Sequence, residues 1–169
     1  MTENFSNEIN QMELKIKALS VNESFVRASI SGFCLQLNPS VDELTDIKTA
    51  VSEAVTNSIV HAYPNKKNGE IVIKVSLYNP NTIKIEISDF GIGISNLEEA
   101  KKPFFTTKPD QERSGMGFTV MESFMDEVLL SNNAMGGVTV TLIKTIKNQN
   151  TEKIKNINWV VKTKGIFKC

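Results

Sequence analysis

Three groups of residues in this chain have types and spacings suited to a charged ligand. Glu53 and Asn57 are four apart, which on an α-helix sets one side chain above the other on the same face. So placed, the amide oxygen can fill one position around an octahedral Mg2+ while the carboxylate polarises a hydroxyl or water beside a terminal phosphate. Each also lies two residues past a member of an apolar stripe, a turn of about 200° at roughly 100° per residue, so both point away from its centre. A pair like that, alone, is ordinarily solvated. Asp89-Phe90-Gly91-Ile92-Gly93 follows a run of alternating isoleucines. Gly91 and Gly93 allow close ligand approach, and an ionised Asp89, which only accepts hydrogen bonds, suits the exocyclic amine of adenine. By itself the pentapeptide is equally a tight turn at a strand end.

The third group spans the end of a long segment and the start of a helix: Thr106-Thr107-Lys108, then Arg113-Ser114-Gly115-Met116-Gly117. Backbone N–H groups at a helix start meet phosphate oxygens, and Lys108 and Arg113 supply positive charge. A basic surface loop before a glycine-capped helix is the plainer alternative. Two glycines, a hydroxyl and two cations converging where a helix begins favour the phosphate. No Walker-type sequence occurs, which excludes an ordinary P-loop. The single histidine, His61, argues against a multi-histidine metal site and a Ser-His-Asp hydrolase.

These groups need a frame. Met12, Leu14, Ile16 and Ala18 alternate with charged residues, as on a half-buried strand. Asn22 is a candidate cap for a helix with apolar positions Phe25, Val26, Ile30, Phe33, Cys34 and Leu37, ending before Pro39. Ser40 or Asp42 can start a second helix with the stripe Leu44, Ile47, Val51, Ala54, Val55, Ile59 and Ala62, stopped by Pro64. Alternating residues at 71–77 and 83–87 predict an antiparallel hairpin about Asn79-Pro80-Asn81. A short helix over 116–125 and two strands around Gly136-Gly137 complete the pattern. The expected fold class is α+β: a two-layer α/β sandwich, its mixed, mostly antiparallel sheet carrying helices on one face.

At 169 residues the chain has room for one domain with a real core, expected over 1–145. Residues 146–169 form a lysine-rich tail, expected to be largely disordered. Nineteen basic residues balance nineteen acidic ones, which disfavours a polyanion partner and leaves a protein or small ligand. The first twenty residues fit no signal or transit peptide, and no apolar run reaches membrane-spanning length, so a cytoplasmic location without nucleic-acid or membrane partners is expected. Cys34 and Cys169 suggest neither a disulfide nor a metal pair.

In this order and at these separations, the three groups resemble the N, G1 and G2 boxes of the Bergerat-type ATP-binding fold shared by histidine kinases, gyrase, Hsp90 and MutL. Within it, residues 20–25, 42–49, 51–57 and 112–118 resemble the anti-sigma F family of spore-forming bacteria, a likeness extending over residues 10–145. The resemblance implies a homodimeric serine kinase that uses ATP and Mg2+ to phosphorylate an anti-anti-sigma protein and, alternatively, holds sporulation sigma factor F. It implies Glu53 as general base, Asn57 as Mg2+ ligand and Asp89 as adenine anchor. Gly91, Gly93, Thr106, Thr107, Lys108, Arg113, Ser114, Gly115, Met116 and Gly117 would complete the nucleotide site, with residues 101–113 as a lid. Glu23 and Arg27 match partner-contacting positions. Ala62 stands where the family usually has glycine, with little expected consequence. Val138 stands where threonine is common, leaving Thr139 as the adenine-side hydroxyl. A sigma-binding module without kinase activity is the main alternative. A histidine kinase half would need a phosphoacceptor helix pair, yet the lone His61 lies inside the ATP-binding helix itself, and a DNA-linked ATPase would want a longer chain with a basic face.

Overall fold

The computed structural model describes residues 7–64, 69–97 and 116–147. In chain order these form β1 (Glu8–Lys17), α1 (Val21–Cys34), a 3-10 turn (Leu35–Leu37), α2 (Val41–His61), β2 (Glu70–Tyr78), β3 (Thr82–Asp89), α3 (Gly117–Phe124), β4 (Glu127–Asn132) and β5 (Val138–Thr145). The strand order is β1-β2-β3-β5-β4, and every pairing is antiparallel. The expected mixed character thus narrows to a purely antiparallel sheet among the described strands. β3 and β4 do run the same way, because a helical crossover joins them, but β5 returns between them and keeps them from pairing.

Alternation along the strands decides which face is buried. Ile71, Ile73, Val75 and Leu77 of β2 and Ile83, Ile85 and Ile87 of β3 are fully buried on the helix side, each worth about 1.5–3 kcal/mol of transfer free energy. Against them pack Val26, Ile30 and Cys34 of α1, Ile47, Ala50, Val51, Ala54 and Val55 of α2, and Phe118 and Met121 of α3. Phe25, expected in the α1 stripe, is 55% exposed, since it lies a third of a turn from Val26 and faces outward. Burial pushes the Cys34 thiol up to about 12, so it stays protonated as a small core residue.

Helix ends follow local chemistry. At α2, Ser40 accepts from the Glu43 N–H at 3.1 Å and its own N–H donates to the Glu43 carboxylate at 2.8 Å, a complete capping box. Asn22 does not cap α1; the helix begins at Val21, and the Asn22 amide donates instead to the Lys17 carbonyl at 2.9 Å, tying the helix to β1. Residues 146 and 147 pack onto the frame as well. Ile146 is fully buried with its N–H on the Asn81 carbonyl, and the Lys147 N–H donates to Glu43 at 2.8 Å. Residues 148–169 lie outside the described residues. Among the described residues no helix is long and apolar enough to cross a membrane.

The Ser40→Ala variant tests the capping box. It leaves the Glu43 N–H without its side-chain acceptor and is expected to cost about 1 kcal/mol. In urea unfolding the midpoint should fall while the slope stays unchanged.

Candidate functional site

Helix α2 supplies one wall of the site. Its buried stripe rests on the sheet, and the residues beside that stripe turn towards α3 and the end of β3. A methyl group added at Gly117 would stand 3.0 Å from Glu53 Oε2 and 3.1 Å from Asn57 Nδ2. The carboxylate and the amide are thus half-buried against a helix start bare of side chain, which a merely solvated pair would not be. Met116, at the N-cap of α3, makes no side-chain cap hydrogen bond. The first N–H groups of that helix, together with its dipole, are the kind of donors that bind anions.

Asp89 closes β3 at the other end of the same wall and is only 4% exposed. Its Oδ1 accepts from the Gly91 N–H at 3.1 Å and the Val138 N–H at 3.2 Å, and the Ser58 hydroxyl stands near enough to favour the ionised carboxylate. Burial pushes this carboxyl above its ordinary value, and the two backbone donors and the nearby Ser58 hydroxyl only partly offset that cost. A carboxylate offers about four acceptor positions, so capacity remains for a donor on a ligand.

The loop after Asp89 is held at several points. Gly91 lies so close to the end of α2 that a Cβ there would fall 2.0 Å from the Ala62 carbonyl oxygen, which itself accepts the Ile92 N–H at 3.0 Å. Gly93 takes a φ of 70°, in the region that favours glycine. Ala62 has ordinary helical angles, φ −71° and ψ −30°, which explains why an alanine serves where glycine was expected. The Phe90 N–H donates to the Tyr63 hydroxyl at 2.8 Å, and that hydroxyl donates to the Glu70 carbonyl, joining the end of α2 to β2 and β3. Asn132 exchanges two hydrogen bonds with the Ile94 backbone, and Asn133 donates to the Asp89 carbonyl at 2.7 Å.

The structure brings Glu53, Asn57 and Gly117 together, with Met116 one residue before, and sets Asp89, Gly91 and Gly93 at the other end of the same wall, near Ser58 and Ala62. Thr139 is a correction. It pairs with Ser88 across the sheet, hydroxyl to hydroxyl at 2.8 Å, on the face opposite the Asp89 carboxylate. Strand alternation leaves position 138 facing the site, and that residue is a valine. Thr106, Thr107, Lys108, Arg113, Ser114 and Gly115 lie outside the described residues. Glu23 and Arg27 stand on α1, away from the site. Ser58, Asn132 and Asn133 escaped the sequence reading. Only Ser58 left a signal there, as a polar residue spaced four from Ala54 on a buried stripe.

This geometry is that of a histidine kinase-like ATPase domain, and the comparisons agree. The family described as histidine kinase-like ATPase domain matches residues 16–144. The RsbU and RsbW domains of Rv1364c from Mycobacterium tuberculosis superpose with a TM-score of 0.59 at 20% identity, over 81% of this chain and 32% of that one. The mycobacterial sensor histidine kinase MprB gives 0.53 at 13% identity, over 80% of this chain and 99% of that one. At such identities these two establish the fold alone.

More similar still is the anti-sigma F factor of Priestia megaterium, 52% identical over 82% of this chain and 95% of that protein. The anti-sigma F factor of Anoxybacillus flavithermus is 54% identical over 80% of this chain and 92% of its own length. The chain belongs to the anti-sigma F factor family, with an ATP-binding domain of the histidine kinase-like class.

Two substitutions probe the site. Because the folded Asp89 carboxyl titrates above its unfolded value, the folded state holds its proton to higher pH, and stability falls as pH rises through that range. Asp89→Asn removes the penalty. The nucleotide-free variant should melt higher than the parent at pH 7, the gap closing as pH drops below the usual carboxylate range, while the rise in melting temperature caused by ATP is lost. Gly117→Ala improves helix propensity yet sets a methyl against Glu53 and Asn57. It should keep thermal stability and lose ATP affinity at least about tenfold, read by titration calorimetry.

Proposed function

We propose that this chain is an ATP-dependent serine kinase and anti-sigma factor, holding sporulation sigma factor F and phosphorylating an anti-anti-sigma protein. The observation that carries the kinase half is the Glu53 carboxylate held with Asn57 against the bare start of α3. In the proposed reaction the partner's serine hydroxyl forms a bond to the γ-phosphorus of ATP, the bond to the β,γ-bridging oxygen breaks, ADP leaves, and Glu53 takes the hydroxyl proton. Asp89 receives the adenine amine, and α3 directs N–H groups at the phosphates. Lys108, Arg113, Thr106, Thr107, Ser114 and Gly115 would contribute from the lid.

Among the described residues no group of three acidic, histidine or cysteine side chains could hold a metal by itself. Mg2+ at a nucleotide commonly takes one or two protein ligands besides the phosphates. Asn57 would be the protein ligand, and the ion would neutralise charge developing on the phosphates.

The partner half draws on the relatives, which carry the name anti-sigma F factor. Helix α1 offers a protein-binding face: beside the charged pair Glu23 and Arg27, Val21 is 76% and Phe25 55% exposed, large apolar side chains turned to solvent. A homodimer and a cytoplasmic place of action belong to the same proposal.

The test is to incubate the chain with γ-labelled ATP, Mg2+ and the anti-anti-sigma protein, beside a Glu53→Gln variant. Label should appear on a serine of that protein, and the variant should lose about a hundredfold or more in rate while binding ATP normally. An unlabelled partner, with sigma still bound, would leave ATP as a structural ligand of a sigma-binding module. Wild-type turnover by the variant would remove Glu53 from the role of base.

A further inference from the structure

Glu23 and Arg27 stand one turn apart on α1, and the guanidinium meets the carboxylate at 3.5 Å. Both also reach across to α2. The Ser52 hydroxyl donates to the Glu23 carboxylate and accepts a hydrogen bond from Arg27 NH1 at 3.2 Å. A hydroxyl has one proton to give and two lone pairs, so a single serine completes a closed ring with the ion pair. Ser52 immediately precedes Glu53, yet consecutive helical residues point about 100° apart. Glu53 faces Gly117 and the phosphate end of the site, while Ser52 faces α1.

The ring leaves part of the arginine open. The Arg27 side chain is 41% exposed, its polar contacts among the described residues run through NH1, and a guanidinium carries five N–H donors in a rigid fork. An arginine held by the ion pair alone would keep much of its rotamer freedom and lose it on meeting a partner, at the expense of affinity. Ser52 removes that freedom beforehand from a neighbouring, well-packed helix.

We propose that Ser52 is a positioning residue for partner recognition: it pre-orders Arg27, with Glu23, so that the free edge of the guanidinium meets hydrogen-bond acceptors on the protein partner. Although next to the carboxylate assigned to catalysis, Ser52 acts on docking and not on phosphoryl transfer. The inference rests on α1 being the partner surface. Nothing in the sequence signals it, because the serine lies among functional residues on α2 while its partners lie 29 and 25 positions earlier.

The test compares Ser52→Ala, Ser52→Thr, Arg27→Ala and the double variant Ser52→Ala/Arg27→Ala in the full chain. Ser52→Ala should raise KM for the anti-anti-sigma protein and Kd for sigma factor F by about three- to tenfold, with kcat and ATP affinity within about twofold of the parent. Ser52→Thr, which keeps the hydroxyl, should stay within about twofold throughout, and the double variant should be no weaker than Arg27→Ala alone, as coupled residues require. Unchanged KM and Kd in Ser52→Ala, with Arg27→Ala impaired, would overturn the role of Ser52. Equal losses in kcat and ATP affinity would do so too, marking a general disturbance of α2. Partner affinities unmoved by Arg27→Ala would overturn the surface itself. The sigma measurement involves no phosphoryl transfer, so it separates this inference from any failure of the kinase proposal.

Discussion

A buried carboxylate held by backbone donors from a loop and a strand, with a helix hydroxyl beside it, is the constraint on which the rest of the site depends. Asp89 ends β3, and its Oδ1 is claimed by backbone N–H groups of the following loop and of β5, while the Ser58 hydroxyl of α2 stands close to the carboxylate. Burying a charge is tolerable only when such partners are in place, and here they do not fully compensate, since the carboxyl still titrates high. Each donor therefore has a fixed position. The loop must bend back at Gly91 to present its N–H, β5 must enter between β3 and β4 to bring Val138 alongside, and α2 must cross close enough for a serine to reach. The sheet order and the close passage of the loop over Ala62 both serve this arrangement.

Helix α2 acts as the ruler that relates the two ends of the site. Within seven residues it sends Ser52 to α1, Glu53 and Asn57 to the start of α3, and Ser58 to Asp89. Successive helical positions differ by about 100°, so neighbours in sequence serve separate elements while residues four apart serve the same one. Its inner stripe of Ile47, Ala50, Val51, Ala54 and Val55 is fully buried on the sheet, and the capping box at Ser40 and Glu43 fixes its far end. A rigid, well-capped helix is what lets short polar side chains be placed to fractions of an ångström.

Much of this frame could be read from the sequence, for reasons that are local. Alternating isoleucines in β2 and β3, the Asn79-Pro80-Asn81 turn and the apolar steps of α2 follow from side-chain geometry alone, as does the pairing of Glu53 with Asn57. Position 139 was less legible: which of two adjacent residues on β5 faces the site depends on the register Ser88 to Thr139, set by a strand 51 residues earlier. Phe25 misled for a similar reason, since α1 carries apolar residues on two faces and only packing reveals which is covered. Asn132 and Asn133 resemble ordinary turn asparagines, and their bonds to Ile94 and Asp89 exist only once β4 and β5 have folded against β3.

The contrast between the two helix starts bears on how ligand and fold are coupled. At α2 the exposed donors are met by a serine and a glutamate of the chain itself, the serine cap alone worth about 1 kcal/mol. At α3 no side chain takes that part at Met116, and Gly117 clears the space that a cap or side chain would fill. A helix start without a capping side chain at its N-cap presents N–H donors together with the positive end of its dipole. Phosphate oxygens meet both better than a serine can, being charged and able to accept from several N–H groups together. In the proposed complex the nucleotide is therefore the cap of α3. The order of that helix start then becomes sensitive to which phosphates are present.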